Sequence, residues 1–288
     1  MGVRTVVSKG SRSASGGPFK YANYEDNHVI WPGSEAALSG FVHQSFFGGI
    51  KHKLRNAHSS HSEDALTWSC FDILKHLPSA ARRRALEDIW ALCFRDPKAP
   101  DGLELGTIHV GKQYPDLEKV AEETPTEVDA SIESAKTLVF IEAKLYSPMS
   151  PADPNNQTRK KDYDQIALKL RVGASEAAKQ GKDFYFILLD IAPMEYLRSM
   201  KRRATFAEAE SPRGATGFFA KWRTAYWFAR YKYGRRGSLS PLKAVLAKAP
   251  AVTSPSAAQI ANNMGWLTWA DLYKATLRAV ISASPFYA

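Results

Sequence analysis

Leu138, Val139, Phe140 and Ile141 follow one another without a polar side-chain atom and run straight into Glu142, Ala143 and Lys144. The apolar run has the composition of a β-strand covered on both faces, which requires a sheet with a layer on each side. Alternate side chains of a strand share a face, so Glu142 and Lys144 project together while Ala143 points the other way. A carboxylate and an ammonium at the end of such a strand cost several kcal/mol unless each is paired or bound to an ion.

The preceding segment supplies a third charge. Residues 126–132 read as a strand joined to the apolar run by a short hairpin turn, and Asp129 lies on it. A strand-end salt bridge accounts for two of these charges. Two carboxylates with an amine suit a reaction centre, in which the acids offer oxygen ligands to a hard divalent cation, Mg²⁺ or Mn²⁺ in its place, and Lys144 faces what the metal holds. Downstream come a polar, Pro-rich loop (146–158), a helical stretch over about 160–180, and the apolar run 184–189. Strand, helix and buried strand predict a right-handed crossover with parallel strands. Upstream, Ser62 is the expected N-cap of a helix reaching residue 77, with Leu66, Cys70 or Phe71, Leu74 and Leu77 at helical spacing. A second helix over 79–94, a turn at 97–102 and a first meander strand over 103–110 complete this reading.

Asp129 and the triplet Glu142, Ala143, Lys144 resemble the PD-(D/E)XK nuclease superfamily, the restriction-endonuclease-like fold. Its signature is an acid in or before one strand, followed a hairpin later by Glu or Asp, any residue, and Lys. The family's leading Pro is displaced: Pro125 stands four positions before Asp129, and Val128 fills the usual place. The resemblance implies an α/β fold with an αβββαβ core, a mixed central sheet flanked by helices. It implies that Asp129, Glu142, the carbonyl of Ala143 and Glu63 hold one or two Mg²⁺ ions, with Asp64 the substitute for Glu63. Acids in a first turn are also favoured simply by the helix dipole. It further implies that Lys144 orients the attacking water, that Gln165 and Lys169 on the following helix reach the site or the phosphate, and that products carry 5′-phosphate and 3′-hydroxyl ends.

Charge agrees with a polyanionic partner. The chain has 39 Lys+Arg against 29 Asp+Glu, a formal charge of +10. The excess concentrates in residues 195–236, with eleven basic residues against three acidic ones. Lys169, Arg202, Arg203, Lys221, Arg223, Arg230, Arg235 and Arg236 are the candidate nucleic-acid contacts. Aromatic residues interleave with this charge; Phe219, Trp222, Tyr226 and Ala229 have the spacing of a helix face that packs on a core, leaving the charges wet.

Other classes fall away. His58 and His61 precede Glu63, but the helical His-Glu-x-x-His pattern of zinc hydrolases is missing. Cys70 and Cys93 read as buried free thiols of a reducing compartment, with cytoplasm expected. No run of eighteen apolar residues exists, so no membrane span is expected. The start has no signal-peptide core, and Val6 stands where a myristoylation motif wants Ser or Thr. The predicted organisation is an N-terminal extension (1–58), flexible at first and then packing Phe41, Phe46 and Phe47 on the core; a nuclease-like core (59–192); and a basic, mainly helical extension (193–288). That extension ends in helices over 257–264 and 269–281 around Gly265, read as a packing pair in preference to a DNA-reading helix-turn-helix.

The expected function is a Mg²⁺-dependent endonuclease cleaving DNA, double-stranded and ahead of RNA, in restriction or anti-phage defence. A repair or recombination nuclease of the same fold and a non-cleaving nucleic-acid-binding module are the alternatives. Homodimerisation or membership of a defence complex is compatible with each.

Overall fold

The computed structural model describes residues 10–11, 18–44, 52–115, 126–146, 165–199, 218–234, 236–249 and 256–284. Helices α1 (Glu35–Val42), α2 (His52–Ala57), α3 (Glu63–His76) and α4 (Ser79–Cys93) precede three strands, β1 (Thr107–Tyr114), β2 (Thr126–Glu133) and β3 (Thr137–Ala143). Then come α5 (Gln165–Lys179), β4 (Asp183–Asp190), α6 (Met194–Ser199), α7 (Phe218–Lys232), α8 (Ser240–Leu246), α9 (Ala257–Asn262), β5 (Met264–Thr268) and α10 (Trp269–Ala283).

These strands form one mixed sheet in the order β1-β2-β3-β4-β5. β1, β2 and β3 are an antiparallel meander, whereas β3 pairs with β4, and β4 with β5, in parallel. The protein is therefore α/β, with helices on both faces of a five-stranded sheet. Every residue of β3 is buried, as its composition demands. Val139 and Ile141 join the core under α3, α4 and α10 with Phe71, Trp90 and Leu272. Leu138 and Phe140 face the opposite core with Leu170 of α5, Phe228 of α7 and Leu242 of α8. Each such side chain contributes about 1.5–3 kcal/mol by leaving water.

Two local readings change. Residues 103–105 form a 3₁₀ turn, and the first strand begins only at Thr107. The helix expected over about 160–180 is present as Gln165–Lys179, and residues 160–164 lie outside the described residues. Most consequential, the two helices expected around Gly265 are present at Ala257–Asn262 and Trp269–Ala283, but Met264–Thr268 between them is a strand. β5 lies against the end of α4: a Cβ on Gly265 would come within 2.8 Å of Cys93 Cβ and 3.0 Å of the Phe94 ring, so the residue must be small. The strand passes directly into α10, whose first turn is capped by Thr268 accepting from the Asp271 amide.

Before the sheet, Leu38, Phe41, Val42 and Ala57 pack on Trp68 of α3 as a separate cluster. Phe46 and Phe47 lie outside the described residues. Among the described residues no helix is long and apolar enough to cross a membrane.

Candidate active site at the β2–β3 fork

The site begins with a break in sheet pairing. β2 and β3 pair from Glu133↔Leu138 to Ala130↔Ile141 and no further, so at Asp129 the strands diverge. Asp129 takes over the role of the missing ladder acceptor: its Oδ2 accepts from the Ala143 amide at 2.6 Å. On the other side of β2, pairing with β1 skips Gly111, the residue facing Asp129, which adopts φ +67°. Val128 belongs to the core under α5 and Ala130 to the core under α3, so the alternation of β2 switches at Asp129. A carboxylate is thereby set in the mouth of a fork.

Glu142 occupies the other arm and is 2% exposed. Its Oε1 is 3.0 Å from Lys144 Nζ, and its Oε2 is 3.6 Å from Lys169 Nζ. That second oxygen has no hydrogen-bond donor among the described residues. Lys144 also lies 3.6 Å from Glu63 Oε1. Glu63 sits in the first turn of α3, which Ser62 caps by accepting from the Ala65 amide at 3.1 Å. Its Oε2 accepts from the Leu145 amide at 2.5 Å, tying α3 to the end of β3. Lys169 of α5 is buried and donates to Thr126 Oγ1 at 3.1 Å.

These neighbours divide the protons unequally. Burial raises the Asp129 carboxyl well above the usual carboxylate range; the Glu142 and Glu63 charges add to this, against the amines of Lys144 and Lys169. Burial also pushes Glu142 upward, but Lys144 and Lys169 outweigh it and hold that carboxyl below its ordinary value. Burial alone would lower Lys144; Glu142, Glu63 and Asp129 together raise it, so the amine stays charged. Of the two fork carboxyls, Asp129 is the one whose surroundings favour the neutral form.

The structure thus brings Asp129, Ala143, Glu142, Lys144, Glu63 and Lys169 together. Gln165 opens α5 one turn before Lys169, on the same helix face. Among the described residues no group of three His, Cys, Asp or Glu side chains has the geometry of a metal site. Asp129 and Glu63 each give one oxygen to a backbone amide, and the amine of Lys144 stands between Glu142 and Glu63.

Two further residues border the fork and carry no sequence prediction. Lys53 of α2 forms a buried 2.7 Å ion pair with Glu127 of β2, donates to Gln44 Oε1 at 2.7 Å and lies over the Phe41 ring. Glu127 stands two positions before Asp129, a usable signal; nothing local points to Lys53.

The basic extension divides. Arg223 is buried, 3% exposed, where the sequence pattern sets it on a wet face. Arg230 lies over the Trp227 ring and donates to Tyr226 Oη at 3.1 Å. Arg236 is exposed. Arg202, Arg203, Arg235 and the side chain of Lys221 lie outside the described residues. Of the packing face expected from spacing, Trp222 is buried, Tyr226 and Ala229 are half-buried and the side chain of Phe219 lies outside the described residues; Trp227, Phe228 and Tyr231, off that face, are buried instead.

Comparison with protein-family models found no match, and neither did comparison with curated proteins or with solved structures.

Proposed function

We propose that this chain is a divalent-cation-dependent nuclease of the restriction-endonuclease-like type, hydrolysing phosphodiester bonds of DNA. The observation that carries the reading is the meeting of Asp129, Glu142, Lys144 and Glu63 at one strand fork, in an element order of helix, three-strand meander, helix and parallel strand. Buried charges of this kind are costly in a purely structural role. Two features fit a cation. The buried Glu142 Oε2 has Lys169 Nζ 3.6 Å away but no hydrogen-bond donor among the described residues, and burial with neighbouring negative charge raises the Asp129 carboxyl; a divalent cation would satisfy the first and offset the second.

Asp129 and Glu142 would hold the ion, with the Ala143 carbonyl and Glu63 completing the set. When bound, it supplies a water of lowered pKa and neutralises charge on the phosphate. Lys144, held between Glu142 and Glu63, would stabilise the charge developing on the phosphoryl oxygens. Lys169, 3.6 Å from Glu142 Oε2, would hold that carboxylate in place, and Gln165, one turn earlier on the helix, would orient the phosphate. Double-stranded DNA, a role in restriction or defence, and cutting of both strands by a homodimer belong to the same proposal.

A non-cleaving nucleic-acid-binding module is the second reading, favoured by the amines that already neutralise Glu142. A supercoiled plasmid incubated with Mg²⁺ or with EDTA separates the two. Nicking with Mg²⁺, none with EDTA, and a loss of about a hundredfold or more in Lys144→Ala support the nuclease. Tight plasmid binding with no Mg²⁺-dependent nicking overturns it.

A further inference from the structure

A cavity of about 380 Å³ lies between α3 and α10, with Val29 among its lining residues. Its walls are mostly apolar: Leu66, Ile73, Leu145, Leu277 and Val280 among them. It abuts the fork directly. Leu145, which lines it, gives its amide to Glu63 Oε2, and Ser62, which also lines it, is the cap of the helix that carries Glu63.

Three features say what fits. Along α10, Tyr273, Leu277 and Ile281 are 57%, 45% and 45% exposed at four-residue spacing, an open apolar stripe leading to the cavity. Tyr273 itself lines the cavity and presents an aromatic surface. Thr276, one residue from Leu277, is 3% exposed and lines the wall with a hydroxyl that has no hydrogen-bond partner among the described residues. The other hydroxyls are already engaged: Ser69 donates to the Ala65 carbonyl and accepts from the Val29 amide, Ser60 accepts from the Phe19 amide, and Ser62 caps α3. Beside the cavity, Tyr146 lies against His61 with ring centroids 4.3 Å apart, and Tyr146 is itself exposed. The two rings directly follow Leu145 and precede Ser62 in the chain.

We propose that this cavity is a nucleobase pocket: it receives one unstacked base of the nucleic-acid strand whose phosphate occupies the fork. A base offers two flat apolar faces and a polar edge, matching aromatic and aliphatic walls with one unspent hydroxyl. The exposed Tyr146 ring, next to Leu145 in the chain, offers a stacking surface. The proposal rests on the nuclease reading for the phosphate, and it specifies the substrate further: the nucleotide beside the attacked bond is unpaired or extruded from its duplex.

The test is binding in EDTA, so that cleavage plays no part. The probe is a single-stranded oligodeoxynucleotide of about twelve residues carrying one 5-iododeoxyuridine, assayed by fluorescence anisotropy and then by photo-crosslinking. Tyr273→Ala removes the ring wall and Leu277→Trp fills the opening; both positions are exposed, so the fold tolerates either change. Each is expected to raise Kd for the single strand by about tenfold, and crosslinks are expected at Tyr273, Tyr146 or His61. Kd values for both variants within about twofold of wild type, crosslinks confined to other surfaces, or no binding of the single strand overturn the pocket. A plasmid nicked with Mg²⁺ by variants of unchanged Kd leaves the nuclease standing and removes the pocket. Pocket crosslinks in a protein that never nicks do the reverse.

Discussion

Replacing Lys144 by Met keeps the side-chain stem and removes the amine that serves Glu142 and Glu63. Glu142, 2% exposed, then faces a buried environment with only Lys169, 3.6 Å from its Oε2, for charge. Breaking a buried pair by removing one partner costs about 3–5 kcal/mol. Lys169 retains part of the compensation, which sets the expectation at the lower end, about 3 kcal/mol at pH 8. At about 2–4 °C per kcal/mol, Tm falls by roughly 6–12 °C. The loss depends on pH with a definite sign. In the wild type the Glu142 carboxyl is depressed, so its stabilisation is present above the ordinary glutamate value and fades as pH falls through the depressed one. In Lys144→Met the opposing charge is gone and burial raises the carboxyl, so the folded state takes up a proton and the penalty shrinks on acidification. Thermal melts in EDTA at pH 8 and pH 5 should show a gap between wild type and variant that narrows at pH 5. The triple variant Lys144→Met/Glu142→Leu/Lys169→Met should recover most of the loss, because apolar side chains then replace both amines paired with Glu142 and the carboxylate itself, leaving none of the three charges buried alone. A destabilisation below about 1 kcal/mol at pH 8, or one independent of pH, refutes the electrostatic account of the fork.

The raised Asp129 carboxyl gives a second expectation. Without metal the folded state binds more protons than the unfolded one, and stability declines as pH climbs from the ordinary aspartate value through the raised one. A cation competes with protons there, so the Tm increase caused by Mg²⁺ should grow with pH; it reaches the equivalent of about 2.7 kcal/mol at a hundred times Kd and disappears in Asp129→Asn. A Mg²⁺ shift that ignores pH or survives the substitution rules out Asp129 as a ligand. Gly111→Ala should lower the urea midpoint by the equivalent of about 1–3 kcal/mol, because its φ of +67° is strained for alanine and a Cβ there would stand 2.6 Å from Lys53 Nζ and 2.7 Å from the Phe41 ring. An unchanged midpoint would show that the Lys53 contact at the fork is loose.

Much of the architecture was legible because the deciding signals are local. The apolar run of β3 and that of β4, the hairpin before Glu142, and Ser62 at the head of α3 each depend on a few adjacent residues, and each occupies its expected element. The convergence of Glu142 with Lys144 follows from strand periodicity alone. β5 was not legible. Five residues containing Gly265 and Trp266 show no alternation, and they are a strand only because β4 offers a parallel edge contributed by chain far upstream. Lys53 and the pairing of Lys169 were obscured for the same reason, since their partners Glu127 and Glu142 are distant in sequence. Arg223 illustrates the opposite difficulty. Basic and aromatic residues alternate too closely along α7 for composition to tell which charge turns inward.

The fork leans on chain that is made long after its own residues. The indole N–H of Trp269 donates to the carbonyl of Lys144 at 3.2 Å, one residue beyond β5. Until the ribosome has passed residues 264–283, β4 has a bare edge and the Lys144 backbone lacks that anchor. A polypeptide truncated before Trp269 would carry every acid and amine of the fork without that indole hydrogen bond to the Lys144 backbone.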